Sequence, residues 1–289
     1  MTCPRSRLKG RAGILIVAAA MLAMSVTAAS AGQDRAPGRV ISLAPSITRE
    51  IQDLGAQDLL VGATSYCPLP RGSRAAVVGT PGRISIEKAY SLDPDIVLAS
   101  TDCNSKADVE ALKRLGCDVH VFAGCEDFAC MCAAFRELGT LLGKGARADA
   151  MVKDIQGRLE RIQSGIRGRN HPKVFWQLGA SPLVTASDAT FAGEFLRRAG
   201  AVNVFGHAAM RYPRVNIEEV LRRNPDVIIV VSRMEPGTGP SLWERYAGME
   251  AVKNGRIHEV NADLVCQPTP VMFLRGFEAV VAALYPGVP

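Results

Sequence analysis

Residues Gly145–Gly168 read GARADAMVKDIQGRLERIQSGIRG. The stretch holds no proline, and its apolar side chains fall at Ala148, Met151, Val152, Ile155, Leu159, Ile162 and Ile166. Those spacings of three and four keep one stripe along a helix. The other faces carry Arg147, Asp149, Lys153, Asp154, Arg158, Glu160 and Arg161. Asp149–Lys153 and Asp154–Arg158 stand acid-first at i,i+4, a placement worth about 0.3 kcal/mol per pair. Gly165, Gly168 and Pro172 are the expected stops. Such a helix is roughly 35 Å long, the width of a small domain. Alone it is an amphipathic surface helix; its flanks make it a beam between two lobes.

On both sides, short Val- and Ile-rich strands alternate with helices. Before the helix, strands are expected at 39–43, 60–65, 77–78, 95–100 and 118–123. Helices are expected after Ser46, over 84–90 and 106–115, and from Cys130 to Leu142. After it, strands are expected at 173–178, 183–186, 226–232 and 256–260. Helices are expected over 191–199, 217–223, 242–249 and 271–284. This alternation specifies an α/β fold in which mostly parallel sheets carry helices on their faces. The two halves also share a unit. Ile86–Val97 (IEKAYSLDPDIV) parallels Ile217–Ile228 (IEEVLRRNPDVI): a helix with an early glutamate, a proline break, then an apolar strand. The expected organisation is an N-terminal lobe over 32–144, a bridging helix over 145–168 and a C-terminal lobe over 169–289.

The first 31 residues read differently. Arg5, Arg7, Lys9 and Arg11 precede an apolar run from Gly13 to Met24, and Ala29-Ser30-Ala31 closes the segment. This is the layout of a secretory signal peptide, with cleavage expected after Ala31. The run is short for a membrane span. The segment holds four of the 34 basic residues and none of the 28 acidic ones, so the remainder is nearly balanced at 30 against 28. No basic block interleaved with aromatics points to nucleic acid.

Seven of the eight cysteines follow Ala31: Cys67, Cys103, Cys117, Cys125, Cys130, Cys132 and Cys266. Export implies an oxidising compartment. Two or three disulfides pinning loops are expected, with connectivity open. The other reading of these thiols is a soft-metal or thiol-handling site. The C-x4-C-x-C spacing at Cys125, Cys130 and Cys132 matches no standard zinc pattern, and no C-x-x-C is present. Four scattered histidines form no H-x-x-H. A G-x-S-x-G elbow and a Walker loop are also missing, so the chain is read as neither hydrolase nor ATPase.

In open α/β sheets, ligands bind beyond the carboxyl ends of the strands. The turns there are Ala44–Ser46, Tyr66–Pro68, Gly79–Arg83, Thr101–Asn104, Gly124–Asp127, Gly179–Pro182, Ser232–Met234 and Asp263–Pro270. They place Ser46, Thr101 and Gln267 among the candidate ligand-binding residues. Arg83, Arg211 and Arg233 fall in or beside them, and their guanidinium forks suit carboxylate or catecholate oxygens.

Several segments together resemble the periplasmic vitamin B12- and iron-siderophore-binding proteins of ABC importers. They are Arg39–Ser46 (RVISLAPS), Val61-Gly62 with Tyr66, and Leu92–Val97 (LDPDIV). In the second half they are Val174–Gly179 (VFWQLG), Ala199–Phe205 (AGAVNVF), Tyr212–Val215 (YPRV) and the Ile217–Ile228 unit. The resemblance implies two lobes joined by one helix, with a cobalamin, other corrinoid or ferric siderophore held between them. A haem is the further alternative within the family. The resemblance implies no enzymatic activity and no intrinsic cofactor or metal. It also implies a monomer that meets the membrane only through a permease with its cytoplasmic ATPase. Tyr66 and Tyr212 then face the ligand, and Glu87 and Glu218 meet arginines of the permease. The chain departs from the vitamin B12 binders at Thr80-Pro81-Gly82 and Ser100-Thr101, where they carry tryptophans. Trp176, inside a strand, reads as core. A single stiff bridge implies small lobe motions on binding.

Overall fold

A computed structural model describes residues 36–232, 241–266 and 268–287. The expected signal peptide, Arg233 and Gln267 lie outside the described residues.

The chain enters through β1 (Val40–Ser42) and α1 (Pro45–Asp53), then β2 (Leu60–Ala63) and β3 (Ala76–Val77). A small hairpin, β4 (Gly79–Thr80) with β5 (Arg83–Ile84), leads to α2 (Ile86–Ser91) and β6 (Ile96–Ser100). Next come α3 (Lys106–Arg114), β7 (Val119–Phe122) and α4 (Phe128–Leu141). The first sheet has the order β3-β2-β1-β6-β7, with every pairing parallel. The long helix α5 (Gly145–Ile166) follows. Beyond it run β8 (Lys173–Ala180), β9 (Leu183–Thr185), α6 (Phe191–Arg198), β10 (Val202–Asn203), α7 (Ile217–Arg223) and β11 (Val227–Ser232). The chain continues through α8 (Ser241–Glu244), α9 (Glu250–Lys253), β12 (Ile257–Asn261), α10 (Ala262–Val265) and α11 (Pro270–Leu284). The second sheet is β10-β8-β11-β12, parallel, with β9 antiparallel on β8. The α/β class and the two sheet-bearing lobes are as the alternation specified.

The repeated unit folds the same way twice. Asp93 (φ 46°) and Asn224 (φ 43°) are the two non-glycine residues with positive φ among the described residues, and each immediately precedes the proline of its half. The aspartate that follows then anchors the lobe's first strand. Asp95 accepts from the Gly38 and Arg39 amides at 2.7 and 2.8 Å, and Asp226 accepts from the Lys173 amide at 2.7 Å.

Strand side chains alternate between two apolar layers, as a sheet covered on both faces requires. Ile41, Val97 and Ala99 pack outward with Val109 and Leu112. Phe175, Ile228 and Val230 pack outward with Val220 and Trp243. The inward positions Val40, Leu98, Val174, Trp176 and Ile229 belong to a single apolar core with residues of α1, α4, α5, α6 and α11. That core runs through both lobes, so the chain from Pro37 onward is one compact unit.

Within α5, Ala148, Val152, Ile155, Leu159 and Ile166 are buried, and Met151 and Ile162 are partly so. The helix ends at Ile166 with Gly165 still inside it, and Gly168 supplies the positive φ of 77° beyond. The charges corrected one expectation. Asp149 pairs with Arg136 of α4 at 2.9 Å and Arg158 with Glu278 of α11 at 2.7 Å. Neighbouring helices lie within reach, so the carboxylates and guanidiniums serve as ties between helices. Arg147 donates to the Asp53 carbonyl, and the Gln163 amide donates to the Arg198 carbonyl. The beam is thereby fixed to each lobe. The single helix expected over 242–249 is instead two short ones, α8 and α9, separated around Gly248. Trp243 of α8 is fully buried, with its indole N–H donating to Gln177 at 2.6 Å.

Where α4 and α5 meet, the close approach needs a glycine. A Cβ at Gly139 would stand 2.5 Å from the Ala148 Cβ. Gly139→Val is expected to destabilise the protein by about 1–3 kcal/mol. Thermal melting should show a loss of roughly 3–10 °C; an unchanged melting temperature would mean that the two helices slide apart freely.

Candidate functional site

In each sheet the chain leaves its central strand in both directions, β1 in the first and β8 in the second. Ligand sites form at such switch points, beyond the strands' carboxyl ends. Both lobes carry a cavity there. The larger, about 390 Å³, lies on the C-terminal lobe, walled by Trp176, Leu178 and Gly179 of β8, Val184 of β9, Phe191 and Ala192 of α6, Tyr212, Val265 and Cys266. Its walls are mostly apolar, with Thr190 and Tyr212 among them. Trp176 is core, as its strand position suggested, yet it also forms cavity wall, and its buried indole nitrogen has no hydrogen-bond partner among the described residues.

The smaller cavity, about 110 Å³, is walled by both lobes: Ser46 and Glu50 of α1, Ser100, Asp102, Cys103 and Phe122 from the first, and Phe191, Cys266 and Pro268 from the second. Phe191 and Cys266 belong to both cavities.

The turns around these cavities are stitched by side chains. Asn104 donates to the Leu43 and Pro81 carbonyls at 2.9 and 3.0 Å and accepts from the Ser100 amide at 2.8 Å. Three turns at the strand ends are thereby held together. The Thr101 hydroxyl accepts from the Gly124 amide at 2.9 Å, so it is engaged in loop-to-loop bonding. Tyr66 is 73% exposed and Tyr212 50% exposed. Tyr212 reaches the larger cavity, whereas Tyr66 stands in the turn after β2 and lines neither cavity. Ser46 lines the smaller cavity. Arg83 lies exposed on the hairpin strand β5. Arg211 pairs with Glu126, an ion pair from the second lobe to the loop that opens α4. Arg49 of α1 reaches Asp263 at 3.5 Å, and the Phe128 amide donates to Glu194 at 2.9 Å. Arg198 binds the same Glu194 and lies over the Phe128 and Phe273 rings. The lobes therefore meet through side chains as well as through α5.

Among the described residues there is one disulfide, Cys125–Cys130, and Cys67, Cys103, Cys117, Cys132 and Cys266 are free thiols. This corrects the expected two or three bridges. Cys132 is buried in the helical core, Cys117 precedes β7 at the far end of its strand, and Cys67 is buried against Thr64 and the Ser42 carbonyl. Burial pushes the Cys103 and Cys266 thiols up, and that of Cys132 to about 11. Each shift favours the neutral thiol over the nucleophilic thiolate. Among the described residues, no group of three His, Cys, Asp or Glu side chains is arranged to hold a metal ion.

The sequence reading missed Glu50 and Asp53. Both sit on α1 at positions facing the core between the lobes. Burial, with Asp53 beside it, pushes the Glu50 carboxyl up to about 8. Burial raises Asp53 to about 6, opposed by Arg275, Thr269, Arg147 and Arg49. A reading by apolar spacing sees only Ile47, Ile51 and Leu54 on this helix and passes over the acids between them.

Glu87 and Glu218 occupy the second position of α2 and of α7, and both are exposed. Neither makes an ion pair or side-chain hydrogen bond among the described residues, whereas Glu219 beside the latter is gripped by Arg222 and Arg223.

The chain belongs to the periplasmic binding protein family, which it matches over residues 40–264. It is 27% identical over 237 residues to a vitamin B12-binding protein of Vibrio parahaemolyticus serotype O3:K6, covering 80% of this chain and 84% of that one. It is 28% identical over 251 residues to a cobalamin-binding protein of Halobacterium salinarum, covering 82% and 67%. Among solved structures, the periplasmic vitamin B12 binding protein BtuF of Vibrio cholerae superposes with a TM-score of 0.71 at 27% identity, covering 86% of this chain and 97% of that one. The periplasmic heme binding protein HutB of Vibrio cholerae superposes with a TM-score of 0.77 at 19% identity, covering 86% and 99%, a likeness of fold alone.

Proposed function

We propose that this protein is the periplasmic solute-binding component of an ABC importer, capturing a metal chelate of the corrinoid class between its lobes and presenting it to the permease. The observation that carries this is the larger cavity, mostly apolar, at the switch point of the second sheet, with Tyr212 at its edge and with Phe191 and Cys266 shared with the cavity between the lobes. An apolar wall beside a half-exposed phenol suits one edge of a flat macrocycle. The names of the curated relatives favour cobalamin within that class. Haem and ferric siderophores are the competing ligands. Glu126–Arg211 already occupies one of the guanidinium groups that an anionic siderophore would need. Burial raises the Cys103 and Cys266 thiols, which disfavours the reactive thiolates that the thiol-handling reading needs.

Fluorescence titration with cyanocobalamin, cobinamide, hemin and a ferric catecholate siderophore tests the reading, alongside Val184→Trp, which fills the larger cavity from half-buried β9. Micromolar or tighter corrinoid binding is expected, weakened at least tenfold by Val184→Trp with the melting temperature kept. Binding of none of the four by the wild-type protein would overturn the proposal.

A further inference from the structure

Glu50 is a nearly buried acid whose carboxyl has no protein partner among the described residues. It is 9% exposed, and its carboxyl makes no side-chain hydrogen bond among the described residues. Its oxygens are not wholly sequestered, so the carboxyl opens onto the cavity it lines, where a polar group of a ligand can reach it. Its surroundings say what would complete it. The cavity it lines also exposes Ser46, Ser100, Asp102, Cys103 and Cys266, and no lysine, arginine or histidine lines it among the described residues. An anionic group entering there would meet an acid and no cation. A neutral carboxyl presents one O–H donor and one carbonyl acceptor in a plane. Its complement is a neutral planar group with one acceptor and one N–H donor, the edge of a primary carboxamide. Phe191 and Cys266 are wall to both cavities, so a ligand seated in the larger lies next to the smaller.

We propose that the smaller cavity is a side pocket of the cleft that receives one carboxamide arm of a corrinoid, with the Glu50 carboxyl as its paired hydrogen-bonding partner. This rests on the cleft reading above. It makes Glu50 a specificity-determining residue, favouring amide-bearing macrocycles over those whose arms end in carboxylates. The other titratable groups around Glu50 are Asp53 on its own helix, Cys132 of α4, and Asp102, Cys103 and Cys266 at the cavity. These are carboxyls and thiols, so none of them supplies a cation to hold a carboxylate.

The test compares wild-type protein, Glu50→Gln and Glu50→Leu by titration with cyanocobalamin, with cyanocobalamin in which one side-arm amide has been hydrolysed to the acid, and with hemin, at pH 6.5 and 9. Wild type is expected to bind cyanocobalamin at least tenfold more tightly than one of the hydrolysed isomers. Its cyanocobalamin affinity should fall about tenfold from pH 6.5 to 9, as the O–H donor is lost. Glu50→Gln, with donor and acceptor both retained, should bind with no such pH dependence. Glu50→Leu should lose at least fivefold at pH 6.5 without a lower melting temperature. Wild-type binding of cyanocobalamin that Glu50→Leu leaves intact, with an unaltered pH profile, overturns the side pocket alone. Equal affinity for the amide and every hydrolysed isomer, or tighter binding of hemin, overturns it as well. Binding of no macrocycle by the wild type overturns the cleft reading and the side pocket together.

Discussion

Glu50→Gln is expected to raise the melting temperature at pH 8 by roughly 5–15 °C and to flatten the dependence of stability on pH. The reason lies in where α1 puts its acids. The carboxyl of Glu50 titrates at about 8 in the folded protein against 4.5 for an ordinary glutamate, and Asp53 at about 6 against 3.8. Both values are raised by burial, so between these limits the folded chain holds protons that the unfolded chain has released. Their contribution is therefore neutral below about pH 4 and becomes increasingly destabilising as pH rises, with the Glu50 part complete just above pH 8. At about 1.4 kcal/mol per pH unit, the Glu50 part alone is of order 4 kcal/mol at pH 8. Glutamine keeps the shape and has no charge to bury. Differential scanning fluorimetry of both proteins at pH 5, 6.5 and 8 measures this. The two should agree closely at pH 5 and diverge at pH 8; parallel curves would show that Glu50 is solvated in the folded state. A chain that carries such a cost at one position, beside its ligand cavity, fits the general finding that local rules are broken where function requires it.

The architecture could be read from the sequence because the elements that build it are strongly patterned. The seven-residue stripe of α5, the Val- and Ile-rich strands and the matched Asp93-Pro94 and Asn224-Pro225 breaks each carry their own local cause. Boundaries moved by a residue or two, and the 242–249 helix is two short helices separated around Gly248. The cavities were less legible. Their walls come from α1, β8, β9, α6 and the turns of both lobes, elements far apart in sequence, and no spacing rule foretells that Phe191 and Cys266 share a cavity with Glu50. Cysteine pairing was misjudged for a related reason. Seven thiols in loop-rich sequence suggested several bridges, but pairing needs Cα atoms within about 7 Å, and the fold meets that for Cys125 and Cys130 at 5.5 Å. Ion pairs, too, go to partners that only tertiary structure supplies, as Asp149 and Arg158 show.

The continuous core also changes the meaning of the long helix. Covalently, α5 is the single crossing between the two sheets. Physically it lies in a layer with α4, α6 and α11, and Phe128–Glu194 and Arg49–Asp263 tie the lobes on either side of it. A layer of this kind resists hinge bending more than a lone rod does. What each lobe presents to a partner is consequently expected to keep a nearly fixed separation.

Glu87 and Glu218 gain their importance from that rigidity, and reversing both should abolish transport while sparing capture. Each is an exposed carboxylate in the first turn of a short helix, one per lobe, at the same place in the repeated unit, and each is without an intramolecular partner among the described residues. Their proposed partners are cationic side chains of the permease. Exposed complementary charges of this kind speed and orient association, and like charges forced together oppose it by several kcal/mol. Glu87→Arg with Glu218→Arg is therefore expected to cut chelate uptake at least a hundredfold in proteoliposomes carrying the cognate permease and ATPase, with each single reversal intermediate. Ligand affinity should stay within twofold and the melting temperature within about 2 °C, because surface substitutions that break no contact are nearly neutral. Uptake that survives the double reversal would remove these residues from the docking surface. Uptake lost with ligand affinity lost as well would place the damage in the cleft, a result the separation of α2 and α7 from both cavity walls argues against.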